Sequence, residues 1–433
     1  MNTSRFVTVA ILLLSVFLVA CQPEVVPTTE KVLRLQLPEP TTLDPPFYYT
    51  GTETTSFVIR HLFDGLTITD IESGDALPGV AESWEVADDG RTWTFHLKEG
   101  YLWSDGTEVT AHDFEWGWKR NGNPETAVEA TWILEPIDKA IDFIYGGGGD
   151  PETLGGNAID DYTLEVITAE PMSYLPRYVA GAMFMPLPRQ AIDTHGTAWY
   201  EAENIVVNGP YTVESWKHDQ ELVLVKNQTY SGEPANIDRV EIKLAVGEPF
   251  LAYQEGEIDV TSVDTADLPV AQAELSDQLT QIPYKWLFFL LLDTRRPPFD
   301  DLRVRQAFYL ALDRETIAND VLKASKVAAY TYIPEGTLGH NPEARIEGTV
   351  ADAQQMMADA GYPGGEGFPT LKIGMVASEP GSDYYLANSA IQAMLKENLG
   401  VEVDLDMKEE SAFWDWYGTL PDTEYDMAWS NWA

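Results

Sequence analysis

The sequence predicts an α/β protein of two or three lobes, and three observations carry that expectation. The chain has 433 residues, against roughly 100–200 for an ordinary domain, so it has length for more than one core. Its second half alternates short apolar runs with amphipathic helical stretches, the order that builds a sheet covered by helices. It holds a single cysteine, so no disulfide within the chain and no Cys-based metal or redox site can stand in for buried apolar surface.

The elements follow in order. Arg5 precedes "FVTVAILLLSVFLVA" (6–20), which is apolar but short of the ~20 residues that span a bilayer, as in a signal peptide. Leu18-Val19-Ala20-Cys21 resembles the lipobox of bacterial lipoproteins, which implies a signal peptide over 1–21 and a lipidated Cys21. Pro23 and Pro27 suit a tether over 22–30. "KVLRLQL" (31–37) alternates as a strand does. "PEPTTLDPPFYYTGTETT" is a long turn-rich segment with aromatics, and "SFVIRHLFDGLTIT" has helical spacing that ends near Gly65.

A hairpin is expected next: Trp84-Glu85-Val86, a turn at Asp88-Asp89-Gly90, then Trp93, Phe95 and Leu97 on one face. Asp105-Gly106 is a tight turn, and Thr110 with Asp113 three residues on marks a helix start that carries Trp116 and Trp118. The glycine run 146–149 lacks a following Lys-Ser/Thr and is therefore a loop, not a phosphate cradle. Strands resume at "IDDYTLEVIT" and "NGPYTVESWKHDQELVLVKN".

In the second half, "YKWLFFLLLDT" is a strand-length apolar run fit for a sheet buried on both faces. "DLRVRQAFYLALDRETIANDVL" is an amphipathic helix broken at Asp313, and "ADAQQMMADAGYPGG" a helix closed by Gly361. Then come the strand "TLKIGMVAS", the helix "YYLANSAIQAMLKENLG" and the strand "VEVDLDM". The ending "YDMAWSNWA" reads as a strand, Tyr425 to Trp429, that opens onto a Trp-containing loop, so the last lobe is expected to be incomplete.

Charge and motifs exclude more than they select. With 27 basic against 70 acidic residues and a formal net charge of -43, a phosphate backbone would be repelled, so no nucleic acid partner is expected. The acids are spread along the chain, as a solvated surface requires. Six histidines stand far apart with none at the i, i+4 spacing of a zinc helix, so neither a metal nor another cofactor is expected. No G-x-S-x-G elbow, H-E-x-x-H or Walker loop is present, and no catalytic residue is assigned.

The run "VAESWEVADDGRTWTFHLKEGYLWSDGTEVTAHDFEWGWKR" resembles the signature region of the bacterial extracellular solute-binding proteins of the oligopeptide/dipeptide/nickel class, family 5 of the ABC importers. Its landmarks stand in order: Pro78-Gly79-Val80-Ala81, Trp93, Phe95, Leu97, Trp103, Asp105-Gly106, Val109-Thr110-Ala111 and Asp113-Phe114. "LDPP" near Asp44, "LFDGL" (62–66), "NGPYTVESW" (208–216), "EGEIDV" (255–260) and "PPFDDLRVRQAFYLALDRETI" (297–317) continue the likeness.

The resemblance implies a two-lobed clamshell closing by a hinge, with lobe I at 31–63 and 190–284, an extra domain at 64–189 on that lobe, and a truncated lobe II at 285–433. It implies a protein of the cell envelope, lipid-anchored through Cys21 to the outer face of the cytoplasmic membrane or in the periplasm. Its partners would be an ABC permease and a peptide ligand, or else an oligosaccharide, which the 13 Trp and 20 Tyr could stack upon. A surface hydrolase is the reading from another class.

Peptide carriers of this kind bind the ligand backbone by strand-like hydrogen bonds. That implies main-chain contacts from Tyr49, Thr50, Gly51, Thr52 and Glu53, a wall from Trp286 and Phe288, and a polar lining from Ser262, Tyr332, Ser378 and Tyr384. Trp432 matches a family Trp beside the aspartate that takes the peptide's ammonium group, and that aspartate would fall just past Ala433. An arginine used by some relatives is replaced by Trp429.

Overall fold

The computed structural model describes residues 30–49, 51–70, 73–146, 149–245, 247–282, 285–337, 339–377, 381–409, 412–413 and 426–432, with Trp432 by its backbone alone. The chain divides into two compact units, with the boundary between Thr261 and Ser262.

In the first unit, one sheet runs in the order Val32–Leu37, Arg239–Leu244, Glu221–Lys226, Tyr211–Lys217. Its first pair is parallel, with Leu35 opposite Ile242, and the others are antiparallel. A second, antiparallel sheet runs Ala81–Val86, Thr92–Leu97, Thr163–Ile167, Gly156–Asp160. The expected hairpin forms around Gly90, whose φ of +68° a glycine tolerates at little cost. Trp93, Phe95 and Leu97 alternate into the core at 6%, 0% and 3% exposure, which is the period-2 pattern the sequence showed.

The helix Ala111–Gly122 starts where expected, the Asp113 carboxylate accepting the Thr110 N–H at 2.8 Å. It lies so close to the strand Gly156–Asp160 that a Cβ on Gly156 would stand 2.5 Å from the Trp118 ring. Trp118 is fully buried, its indole N–H donating to the Phe184 carbonyl at 2.9 Å. Trp103 is buried too and Trp116 half-buried, so the Trp-rich stretch is core material, with side chains worth about 1.5–3 kcal/mol each on burial. Both sheets share one hydrophobic core.

The second unit has one sheet in the order Leu287–Leu292, Met427–Trp432, Leu371–Val376, Val403–Lys408. Leu371–Val376, the helix Asp383–Leu399 and Val403–Lys408 form a crossover with parallel strands. The helix is capped by Ser382 and ends at Gly400, φ +70°, where a Cβ would meet the Gly364 carbonyl at 2.2 Å. Helices Leu302–Ala311 and Val350–Asp359 cover the sheet around Phe299, Phe308, Ile373, Met375 and Leu395. The break at Asp313 is present, its carboxylate accepting the Thr316 N–H at 3.0 Å. Thr265 and Gln281 hydrogen-bond to Ser325 and to the Ala324 carbonyl, tying the stretch after the boundary to this unit.

Two expectations are corrected. The apolar run at 287–292 is an edge strand and is half-buried from Phe288 onward, not enclosed on both faces. The terminal strand does not give way to a loop after Trp429: it spans Met427–Trp432, because Leu287–Leu292 pairs with it along its whole length.

Candidate functional site

In the first unit the segment around Tyr49 is more ordered than a turn-rich run suggests. Pro45–Tyr49 is a short 3-10 helix and Glu53–Leu62 an α-helix capped by Thr52. The Thr52 hydroxyl accepts the Thr55 N–H at 3.3 Å and donates to the Glu39 carbonyl at 3.2 Å. The Gly51 N–H is taken by the Phe47 carbonyl at 2.9 Å. Glu53 is exposed in the first turn, where its charge suits the helix dipole.

Tyr49 keeps 44% of its surface open, yet its hydroxyl end is tucked in, 2.7 Å from where a Cβ on Gly181 would stand. That burial, and next the adjacent Tyr48, push the phenol up to about 12. Tyr48 meets Tyr49 edge-on at 4.9 Å, and Arg60 lies over the Tyr48 ring at 5.0 Å while donating to its hydroxyl. Sequence reasoning named neither Tyr48 nor Arg60. The helical offset from Glu53 to Arg60, two turns on, was the available signal.

Two buried ties hold this segment. Asp44, 2% exposed, receives both terminal nitrogens of Arg120, at 2.6 and 3.3 Å. Burial pushes Asp44 upward, and Arg120 opposes it. Past the helix, Asp64 accepts the hydroxyls of Tyr101 at 2.5 Å and Tyr230 at 2.7 Å, and its backbone is paired both ways with the Asn208 amide. Desolvation raises Asp64 and both phenols.

In the second unit the expected residues gather into a ring cluster. Trp286 lies 6.1 Å from Phe288 at 31°, and Phe288 stacks on Trp429 at 5.8 Å and 23°. Tyr384 meets Phe288 and Trp429 edge-on, at 5.7 and 6.1 Å. Exposure falls along the row, from 43% at Trp286, through a half-buried Phe288, to 8% at Trp429. Tyr332, 63% exposed, packs on Phe289 instead, so alternation along the strand sets it apart from the row. Ser262 is exposed just after the unit boundary. Trp432 stands opposite Leu287 in the sheet. Cys21, Thr50 and Ser378 lie outside the described residues.

Two surface clefts lie elsewhere among the described residues. One of about 550 Å³ runs past Glu214, Lys226, Asp238 and Arg239, but those charges already pair, Lys226 with Asp238 and Arg239 with Glu214. A second, of about 270 Å³, lies between Gln36 and Glu257. Neither contains an expected site residue. Among the described residues no group of three or more His, Cys, Asp or Glu is placed to hold a metal, and no helix is long and apolar enough to cross a membrane.

Two α/β units, each with aromatic and polar side chains near its candidate residues, make up the described chain. The chain belongs to the bacterial extracellular solute-binding proteins, family 5, whose model matches residues 75–433. It is 33% identical over 394 residues to the periplasmic oligopeptide-binding protein OppA of Escherichia coli, covering 87% of this chain and 70% of that protein. The structure of the Escherichia coli murein tripeptide binding protein MppA superposes with a TM-score of 0.76 at 28% identity, over 94% of this chain and 80% of that one. Haemophilus influenzae OppA in complex with RPPGFSPFR gives a TM-score of 0.71 at 27% identity, over 93% and 80%. The fold is thus the two-lobed α/β architecture of the periplasmic peptide-binding proteins, and these relatives are binding proteins, not enzymes.

Proposed function

We propose that this protein captures oligopeptides or dipeptides outside the cytoplasmic membrane and hands them to an ABC permease by hinge closure. The observation that carries the reading is the likeness, over most of the chain, to proteins named for oligopeptides and for a murein tripeptide. Lobe I would comprise 31–63 and 190–284, the extra domain 64–189 and lobe II 285–433. Cys21 would carry the lipid that holds the protein at the membrane, and replacing it with alanine should release the protein into the soluble fraction.

Peptide would meet the segment Tyr49–Glu53 from the first unit and Trp286, Phe288, Tyr332 and Tyr384 from the second. The direct test is to purify the protein from its native envelope, denature it and identify the released small molecules by mass spectrometry. Peptides are the expected result. Xylo- or cello-oligosaccharides, or a metal complex, would keep a carrier and change its cargo, and turnover of a fluorogenic substrate pool would replace the carrier with a hydrolase.

A further inference from the structure

The chain passes from the first unit to the second between Thr261 and Ser262, and just before that point it is knotted to the first unit around Arg34. Arg34 lies on Val32–Leu37, an edge strand that has a sheet neighbour, Arg239–Leu244, on one side only. On the other side it meets Asp259. The Asp259 carboxylate accepts the Arg34 main-chain N–H at 2.7 Å, its Nε at 3.1 Å and its Nη2 at 2.6 Å, and the Arg34 carbonyl accepts the Asp259 N–H at 2.9 Å. The other terminal nitrogen, Nη1, donates to the Gly256 carbonyl at 3.0 Å. A planar fork joined by main-chain bonds fixes position and direction together, which the single ammonium of a lysine does not.

The chain differs in character before and after this tie. Before it, Ile258 is buried and Glu257 pairs with Lys243 at 3.3 Å. After it, residues 260–263 belong to neither helix nor strand, and Val260 is 58% exposed. Order returns in the second unit, where the Asp264 carbonyl accepts the N–H groups of Asp267 and Leu268 at 3.0 and 2.9 Å and the buried Thr265 donates its hydroxyl to Ser325 at 2.8 Å. A short irregular span between two fixed ends is where backbone torsions absorb a domain swing. The tie itself adds little to folding stability, because its side chains are 45% and 34% exposed.

We propose that Arg34 is a positioning residue for ligand capture: through Asp259 it fixes the point at which hinge closure begins and confines the bending to residues 260–263. This rests on the peptide-carrier reading and adds to it the residue that anchors the swing. Releasing Asp259 extends the pliant span back toward Gly256 and widens the open ensemble, so that more conformational entropy is lost on closing.

The test is pulsed electron–electron resonance on the full chain, ligand-free and with Cys21→Ala, spin-labelled through Glu233→Cys and Glu366→Cys, one exposed position in each unit. Distances are measured before and after a tryptic digest of casein is added. In the parent the digest should narrow the distance distribution and move its centre. Arg34→Ala and Asp259→Asn should broaden the ligand-free distribution and cut that movement by roughly half or more, with Arg34→Lys between them and the parent. All three should shift the melting temperature by no more than about 3 °C. Lys217→Ala, which breaks an exposed pair with Glu221 in the same sheet, should leave the distances as in the parent. Parental distances in both Arg34→Ala and Asp259→Asn, an equal change in Lys217→Ala, or a melting shift well beyond that bound would overturn the positioning role and leave the carrier reading standing. A parent that the digest does not move would overturn both.

Discussion

The two units hold their candidate contact residues by different means. In the first, Tyr49 to Glu53 sit on a segment fixed by buried charge and hydroxyl groups: Arg120 on Asp44, Tyr101 and Tyr230 on Asp64, Thr52 on Glu39. In the second, Trp286, Phe288 and Tyr384 are fixed by ring against ring on an edge strand. A polar tie has directions and lengths, so it sets a geometry, but it is costly when half of it is removed. A ring stack tolerates substitution and sets a surface more than a geometry. The difference is one of kind: directional polar ties in the first unit, apolar ring area in the second.

The comparison breaks most visibly at Arg120. Arg120→Ala leaves the Asp44 carboxylate, 2% exposed, without its cation, and should cost about 3–5 kcal/mol in urea unfolding monitored by circular dichroism. The double variant Asp44→Leu with Arg120→Met should recover most of that loss, because it buries no orphaned charge. Trp286→Ala in the second unit, removing an exposed ring, should cost under about 1 kcal/mol. If the two single variants proved equal, buried charge would not be what distinguishes the units.

A smaller effect sharpens the same contrast at Asp64. Tyr101→Phe removes one of the two hydroxyl donors to a buried carboxylate and should cost about 1–3 kcal/mol, more than the volume change explains. Tyr230→Phe, at a phenol less enclosed than Tyr101, should cost less. A neutral result for both would mean that Asp64 is held by its backbone pair with Asn208 alone.

How much of this could be read from the sequence depends on range. Local signals were sufficient for the hairpin through Trp93 and Phe95, the Thr110–Asp113 helix start, the break at Asp313 and the crossover from Leu371 to Lys408, since each is written in periods and caps within about ten residues. Failure came where long-range pairing decides. The run 287–292 is apolar in either place, and only its position at a sheet edge exposes it. The terminal strand reaches Trp432 because Leu287, from far earlier in the chain, lies beside it, as Leu292 lies beside Met427 at the other end of the ladder. The aromatic row was half legible: Trp286, Phe288 and Tyr384 can be named one by one, but the meeting of Phe288 with Trp286, Tyr384 and Trp429 is a tertiary fact.

The finest probe of the polar scaffold is His218. Its Nδ1 faces Glu39 at 2.8 Å and its Nε2 faces Glu201 at 3.1 Å, with the Trp216 ring 4.4 Å away and tilted by 46°. The hydrogen bond to Glu39 above all, with Glu201 adding to it against some desolvation, raises the imidazole above its ordinary 6.5. A raised folded value means that the charged form contributes stability in full below about 6.5, and that the contribution is lost as pH climbs from there through the folded value. Glu39 also takes the Asp219 N–H and the Trp216 indole N–H, and its carbonyl takes the Thr52 hydroxyl, so loosening His218 slackens the anchor of the candidate segment. Thermal unfolding should therefore shift to lower temperature as pH rises past about 6.5, by a small amount because the ring is half exposed. His218→Gln should flatten that slope while leaving the rest of the pH profile in place. A slope unchanged in the variant would assign it to other groups and would leave the Glu39 tie resting on its backbone and indole donors.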